Sequence, residues 1–545
     1  MERLNGTGRG TDVLIVGAGH NGLVAACYLA RAGLDVLVVE AAATVGGMTA
    51  TEPVIPEAPQ HLFNEGAMDS SLFRATTIAA DLELSRFGLK EAEVDPPYAY
   101  LDRDGASLCI WRDPRRTAEE IRRFSHKDAL AFLDLAGVLD AAMDVALPYM
   151  RSHPTRLDPA VLTSVLGMGR HPRRLAQLTR FLTGSHAEVI EESFEHTMVR
   201  GPLAAVPCFM PITADGTGWA LIYYGLIHRL GVGRFIGGTG ALPKALARCL
   251  VAAGGTIRTS AVVEELIVDA GRVRGIRLEN GEELRARAVL AACNVKSTLT
   301  GLLPDGALPA RADARAKRIP TASTFASSFK INVALGGRVD LPRHRAWRGD
   351  GLDLRRPAVC WNSFEEHVAA WDACARGVLP NPLTGFSILP TGVDPSQAPE
   401  GQDTFWYWSG IAPVRPHEPW ESLGDRAAQA AMTHVASFYE GIEELEVGRQ
   451  VMTPVDLAER FRVPHGNVYH VDAGLMRFGP LRPAAGMSGY RSPVPGLYLS
   501  GGGTHPSAGI CGIPGQLAAR VVARDLRGGG LLSRKHRRGD NAWQR

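Results

Sequence analysis

The chain has 545 residues, with 59 lysines and arginines against 57 aspartates and glutamates and a formal net charge of +2. That balance excludes a strongly basic nucleic-acid surface as the organising feature, and no nucleic-acid partner is expected. The length suggests two or three structural units.

Eight cysteines, Cys27, Cys109, Cys208, Cys249, Cys293, Cys360, Cys374 and Cys511, show no CxxC and no paired spacing. Neither a metal site nor a redox dithiol is expected, and a reducing compartment fits better than secretion. Ten residues precede the first apolar strand, and the apolar stretch is then broken by GAGHNG, unlike a signal peptide. No run of ~18 apolar residues is present. The expectation is a cytoplasmic protein.

Val13 to Val16 reads as a short strand, followed at once by Gly17-Ala18-Gly19-His20-Asn21-Gly22. Strand, tight turn and helix in that order form a dinucleotide cradle. Gly17 permits the turn, Gly19 lets a pyrophosphate approach the backbone, and Gly22 lets the helix pack close to the strand. The helix, ending near Gly33, would turn its first N–H groups toward the phosphates. A second strand, Val36 to Val39, finishes on Glu40, whose carboxylate suits two ribose hydroxyls and repels a 2′-phosphate. FAD or NAD is therefore favoured over NADP. Gly46-Gly47-Met48-Thr49 follows as a second glycine pair, which resembles the extension found in FAD-binding proteins of the glutathione-reductase and amine-oxidase type.

Asn64-Glu65-Gly66-Ala67 reads as a loop, and in FAD proteins of that type such a loop returns beneath the flavin, which makes Gly66 and Ala67 candidate neighbours. From Ala75 to about Leu230 the period is mostly helical, as in Thr117 to Leu139 and Leu162 to Leu182, with no strands to extend the first sheet. Met168 to Gly184 interleaves arginines with leucines, a pattern shared by membrane-surface helices and by solvated faces over a core. Gly238-Thr239-Gly240 lacks a third glycine and a good preceding strand, so it is not read as a second dinucleotide site. A helix to Ala253, a strand at Thr256 to Arg258, a hairpin at Asn280-Gly281 and a strand at Ala288 to Ala292 would rejoin the first sheet. Thr321 to Leu335 and Thr404 to Ile411 read as strands of a second sheet. The latter carries Phe405 to Trp408, aromatics for a pocket wall or for core. Leu497 to Ser500, the Gly501-Gly502-Gly503 turn and a helix from Gly512 close the first domain. A basic tail ends the chain.

Taken together, GAGHNGLVAACYLARAGLDVLVVE, PVDLAERFRVPHGNVYHVD, LRPAAGMSGYRSPVPG and LYLSGGGTHPSAGICGIPGQLAA resemble the phytoene desaturase and carotenoid oxidoreductase family, near its phytoene-dehydrogenase-related and retinol-saturase-like members. The resemblance implies an α/β fold with a Rossmann-like FAD-binding domain assembled from discontinuous segments, 1–75, 232–310 and 488–527. A helical part of the substrate domain would span 76–231, its sheet 311–487, and a basic tail 528–545. It implies non-covalent FAD held by Gly17, Gly19, Asn21, Gly22, Glu40, Gly46, Gly47, Met48, Thr49, Gly66, Ala67, Val263, Gly502, Gly512 and Ile513.

Two positions depart from the family pattern. Many members read GD where this chain has Gly501-Gly502, and HPGGG where it has His505-Pro506-Ser507-Ala508-Gly509. His505 is the leading acid–base candidate, ahead of Glu65, His470 and Asp472; Cys511 adjoins Gly512. The implied chemistry is hydride transfer at carbon–carbon bonds of an apolar polyene-, isoprenoid- or polyketide-like molecule, with oxygen or a quinone as electron acceptor and peripheral membrane contact. A non-redox isomerase, a flavin amine oxidase and a prenyl-binding escort stand as alternatives.

Overall fold

The structure is a computed structural model. It describes residues 11–528 apart from 157, 169–171, 207–209, 322–324 and 475–476. The basic tail from 529 onward and Cys208 lie outside the described residues.

Strand β1 (Thr11–Val16), helix α1 (His20–Arg31) and strand β2 (Val36–Val39) form where the apolar run, the glycine turn and the second run stand. Both strands are parallel in register, Val13 beside Val36 and Val16 beside Val39. Thr256–Arg258 extends this sheet beyond β2, Glu283–Ala291 lies parallel to β1 on the other side, and Leu497–Leu499 lies parallel to that. Segments far apart in sequence therefore build one parallel sheet. Glu283–Ala291 is long enough to serve twice, since its first half continues an antiparallel meander with Arg272–Leu278 and Val263–Asp269.

Both faces of this sheet are covered, as a parallel sheet requires. Leu23, Val24 and Leu29 of α1 pack with Leu242 and Leu246 of the Ala241–Ala252 helix and with Leu517 and Val521 of Ile513–Gly528. That last helix carries Arg524 and Arg527 and ends at Gly528. Cys27 and Cys249 meet between α1 and its neighbour, the Cys27 thiol donating to the Leu246 carbonyl at 3.2 Å and the Cys249 thiol to the Leu82 carbonyl at 3.7 Å. A thiol pair absent from the spacing is thus present in space.

The second sheet has the order Glu446–Met452, Ala326–Leu335, Asp403–Pro413, Phe386–Ile388, Ala358–Cys360, Tyr98–Leu101 and Ser107–Ile110. Its last two strands come from the region read as helical. They are short and fully buried, and without alternation they leave no period to detect. Along Asp403–Pro413, Phe405 and Tyr407 enter the core beneath the Trp420–Ala436 helix, while Trp406 and Trp408 turn to the opposite face. Strand pleating dictates this division.

The expected helix at 117–139 is broken in two. Asp113 caps Pro114–Arg122 and Ser125 caps His126–Arg151, the Ser125 hydroxyl accepting the Asp128 N–H at 3.1 Å. In the expected 162–182 helix, Pro159–Met168 and Pro172–Thr183 are helical, and 169–171 lie outside the described residues.

A strand, Val232–Phe235, does precede Gly238, contrary to the expectation, and pairs with Glu91–Val94. The glycine turn after it is nonetheless closed to a ligand. A Cβ at Gly238 would stand 2.5 Å from Asn64 Oδ1. The Gly240 N–H donates to Thr51 Oγ1 at 2.8 Å and the Thr239 N–H to Asn64 Oδ1 at 2.9 Å. Among the described residues, no helix is long and apolar enough to cross a membrane, and no group of three or more His, Cys, Asp or Glu could hold a metal ion.

Candidate cofactor and substrate site

The carboxyl ends of the parallel strands open on one cavity of about 1180 Å³, lined by Val16 and Gly17, Val39 and Glu40, Ala292 and Cys293, and Gly501 and Gly502. Ligands of open α/β sheets bind at this edge.

Gly17, at φ 100°, turns the chain into α1, and Gly19 is the N-cap. No side chain caps this helix and no acid stands in its first turn, so its leading N–H groups are left for an anionic ligand. Asn21 lines the cavity; Gly22 does not. A Cβ at Gly22 would lie 2.1 Å from the Gly17 oxygen and 3.1 Å from Ala292 Cβ, so Gly22 is where helix and sheet touch.

Gly46 donates its N–H to the Ala18 carbonyl at 3.0 Å and bridges to Gly19, which lays the second glycine pair beside the first. Gly46, Gly47, Met48 and Thr49 line the cavity. Glu40 is held by two backbone donors, Ala18 N–H to Oε2 at 2.7 Å and Ala42 N–H to Oε1 at 2.9 Å. Each oxygen keeps acceptor capacity. Val263 lines the same end.

Gly66 and Ala67 line the cavity too. Their loop is anchored by groups the sequence reading passed over. Lys330, fully buried within Ala326–Leu335, donates from Nζ to the carbonyls of Asn64 and Glu65. The Glu65 carboxylate pairs with Arg460 at 2.5 Å. Burial pushes the Lys330 ammonium well below its usual range. A lone lysine inside the apolar run SSFKINVAL was the available signal.

Gly502 lines the cavity, whereas Gly512 and Ile513 are not on its wall. A Cβ at Gly512 would face Ile78 at 2.8 Å and Val24 at 3.1 Å, and Ile513 is buried in the core against α1. The wall is formed by the loop before them, through Ile510 and Cys511. At Gly502 a Cβ would stand 2.7 Å from the ring of His470. His470 therefore occupies the space that a longer side chain at position 502 would need.

Arg482 is the largest fully buried side chain among the described residues. Its guanidinium donates to the carbonyls of Gly502 (2.7 Å), Tyr469 (3.1 Å), Thr504 (3.2 Å), Val471 (3.3 Å) and Arg477 (3.4 Å). Burial lowers its pKa to about 10, so it stays charged at neutral pH. It ties the 469–477 segment to the 501–504 turn. Asp472 takes the Asn467 amide N–H at 2.6 Å and does not line the cavity.

His505 does line it. Its Nε2 lies 3.1 Å from the Tyr149 carbonyl, its ring stands edge-on to Tyr149, and its Nδ1 has no partner among the described residues. His20 and His470 are on the wall as well. Burial, the largest cause in each, lowers all three pKa values to about 4. Between about pH 6.5 and 4 the unfolded chain therefore binds protons that the folded chain refuses, and stability falls as the pH drops through that window. Above pH 6.5 these histidines are neutral in both states and the effect vanishes. Thermal melts and retained cofactor, followed from pH 7 to pH 4, should decline together before the carboxylates titrate. A melting temperature unchanged from pH 6.5 to 4.5 would contradict this.

Comparison with known proteins follows the same outline. The profile of flavin containing amine oxidoreductases matches residues 22–525. The rat pyridine nucleotide-disulfide oxidoreductase domain-containing protein 2 is 32% identical over 95% of this chain and 94% of its own length. The zeta-carotene-forming phytoene desaturase of Myxococcus xanthus is 25% identical over 95% and 94%. Among solved structures, an oxidoreductase from Methanosarcina mazei superposes with a TM-score of 0.60 at 15% identity, covering 94% of this chain and all of that one.

Proposed function

The chain belongs to the flavin-containing amine oxidoreductase family, in its phytoene-desaturase-like reach, and is an FAD-dependent oxidoreductase; we propose that it forms or removes carbon–carbon double bonds in an apolar, polyene-, isoprenoid- or polyketide-like molecule. One observation carries the reading. The cavity that begins at the glycine cradle continues without a break into a chamber walled by Trp406, Trp408, Phe386 and Leu226, the kind of surface that buries an apolar ligand.

FAD supplies the two-electron chemistry when bound. On this reading Gly17, Gly19 and the uncapped start of α1 hold its pyrophosphate, and Glu40 accepts from the ribose. Val263 would meet the adenine by its backbone, Gly46 to Thr49 would flank the cradle, and Gly66 and Ala67 would support the ring. The rest of the chain excludes water and orients the substrate. His505 is the proposed proton acceptor. Its ring is held at Nε2 by the Tyr149 carbonyl, and its neutral Nδ1 has an unused lone pair.

Exposed Leu162, Val165, Leu166, Leu175 and Leu182 occupy the two short helices at 159–183, and Leu182 also lines the cavity. They suit capture of substrate from a lipid surface, although Arg180 is already paired with Glu192. Oxygen or a quinone would take the electrons afterward.

The test is the visible spectrum of the purified protein, followed by anaerobic mixing with polyene and isoprenoid candidates presented in vesicles containing anionic lipid. Oxidised-flavin absorbance bleached by one candidate is the expected result. Turnover to an isomer without bleaching would favour the non-redox alternative, and a colourless protein that cannot be reconstituted with FAD would sink the proposal.

A further inference from the structure

The apolar chamber contains one concentrated polar spot. Asp69, Ser71, Tyr98 and Tyr223 all line it, on elements that meet only in the folded chain. The Tyr223 hydroxyl lies 3.0 Å from that of Tyr98 and 3.4 Å from both Ser71 Oγ and Asp69 Oδ2. Asp69 Oδ1 is engaged by the Ser71 N–H at 3.0 Å and by the Ser71 hydroxyl. Oδ2 has only the long contact to Tyr223 among the described residues, so it retains acceptor capacity toward the chamber. Burial pushes both phenols well above their usual range, which keeps them neutral.

A buried arginine lies near the spot but off the chamber wall. Arg234, 7% exposed, forms no ion pair among the described residues, and its Nε and Nη1 have no hydrogen-bond partner. Asp69 is the main opposing charge that acts on it. An anionic ligand would meet the Asp69 carboxylate, and a cationic one would meet the field of Arg234. A group that donates one hydrogen bond and accepts another satisfies both Asp69 and a tyrosine at no charge cost. That description fits a hydroxyl.

We propose that the substrate is a long apolar molecule bearing a hydroxyl group, moored by Asp69 Oδ2 and the Tyr98–Tyr223 pair, and that these residues set specificity against the bare hydrocarbon. The proposal rests on the apolar-substrate reading above. Sites built to hydrogen-bond a hydroxyl discriminate strongly against the analogue without it, because their buried polar groups are then left unpaired.

Trp219, Trp406 and Trp408 line the same cavity and report occupancy by fluorescence. The holoenzyme would be titrated with a polyprenyl alcohol and with the hydrocarbon, carboxylate and ammonium analogues of the same length. The alcohol should bind about tenfold or more tightly than the hydrocarbon. Tyr223→Phe and Asp69→Asn, each checked for unchanged flavin absorbance, should erase that preference while leaving hydrocarbon affinity within about twofold. Equal binding of alcohol and hydrocarbon, tightest binding of the ammonium or the carboxylate, or a preference surviving both substitutions would overturn the proposal and leave the apolar-substrate reading intact. Failure of all four ligands to bind would overturn both.

Discussion

Replacement of Arg482 by methionine is expected to cost about 4 kcal/mol or more and to strip most of the flavin from the protein. Five backbone carbonyls, at Gly502, Tyr469, Thr504, Val471 and Arg477, take their hydrogen bonds from this one guanidinium. Buried ionic side chains can often be exchanged for apolar ones at little cost, but only when their partners are exchanged as well. Here the partners are main-chain oxygens and cannot be removed. Lysine should not rescue, since a point ammonium with three donors cannot span the carbonyls that a planar fork of five donors reaches. The measurement is flavin content per chain together with the thermal midpoint. An R482M protein with wild-type values of both would show that the 501–504 turn holds itself.

Gly22→Ala is expected to be nearly as damaging, at about 3 kcal/mol, with flavin affinity lowered by about a hundredfold through displacement of the Gly17 to Gly19 turn. The added methyl would lie 2.1 Å from the Gly17 oxygen, a backbone atom that cannot swing aside, and 3.1 Å from Ala292 Cβ. Helix α1 would have to lift from the sheet, and its first N–H groups would move with it. Gly33→Ala provides the control. Its φ is 83°, yet nothing lies within 4 Å of the added atom, so only the left-handed backbone cost of ~1 kcal/mol remains. Flavin titration of the two variants tests the contrast. Equal effects would mean that backbone conformation, not the helix–sheet contact, governs the cradle.

The two substitutions divide the molecule by how its parts become visible. Gly22 announces itself because its tightest contact, with the Gly17 oxygen, is made within a single βαβ unit, where turn chemistry, apolar period and the acid at Glu40 lie within a few tens of residues. Arg482 gives no such notice. It stands in a loop with no periodicity, and its role appears only when the 469–477 and 501–504 segments fold against each other. Lys330 is intermediate, since a lone lysine in an apolar strand signals a buried partner without saying which. The strands at Tyr98–Leu101 and Ser107–Ile110 were hidden among helices because buried neighbours on both faces remove the alternation that marks a strand.

By itself the sequence determined the α/β fold and the dinucleotide cradle, because both rest on local spacing that backbone geometry enforces, while the preference for FAD over NAD and the kinship with carotenoid oxidoreductases came from the resemblance of its motifs to known families. Only the tertiary structure decided where the remaining candidates went. It withdrew Gly512 and Ile513 into the core behind the wall, filled the space beside Gly502 with His470, and closed the Gly238 turn against Asn64 and Thr51. It also assembled Asp69, Tyr98 and Tyr223 into one polar spot. These outcomes depend on which distant surfaces pack together, and packing is a property of the whole core that no single stretch of the chain encodes.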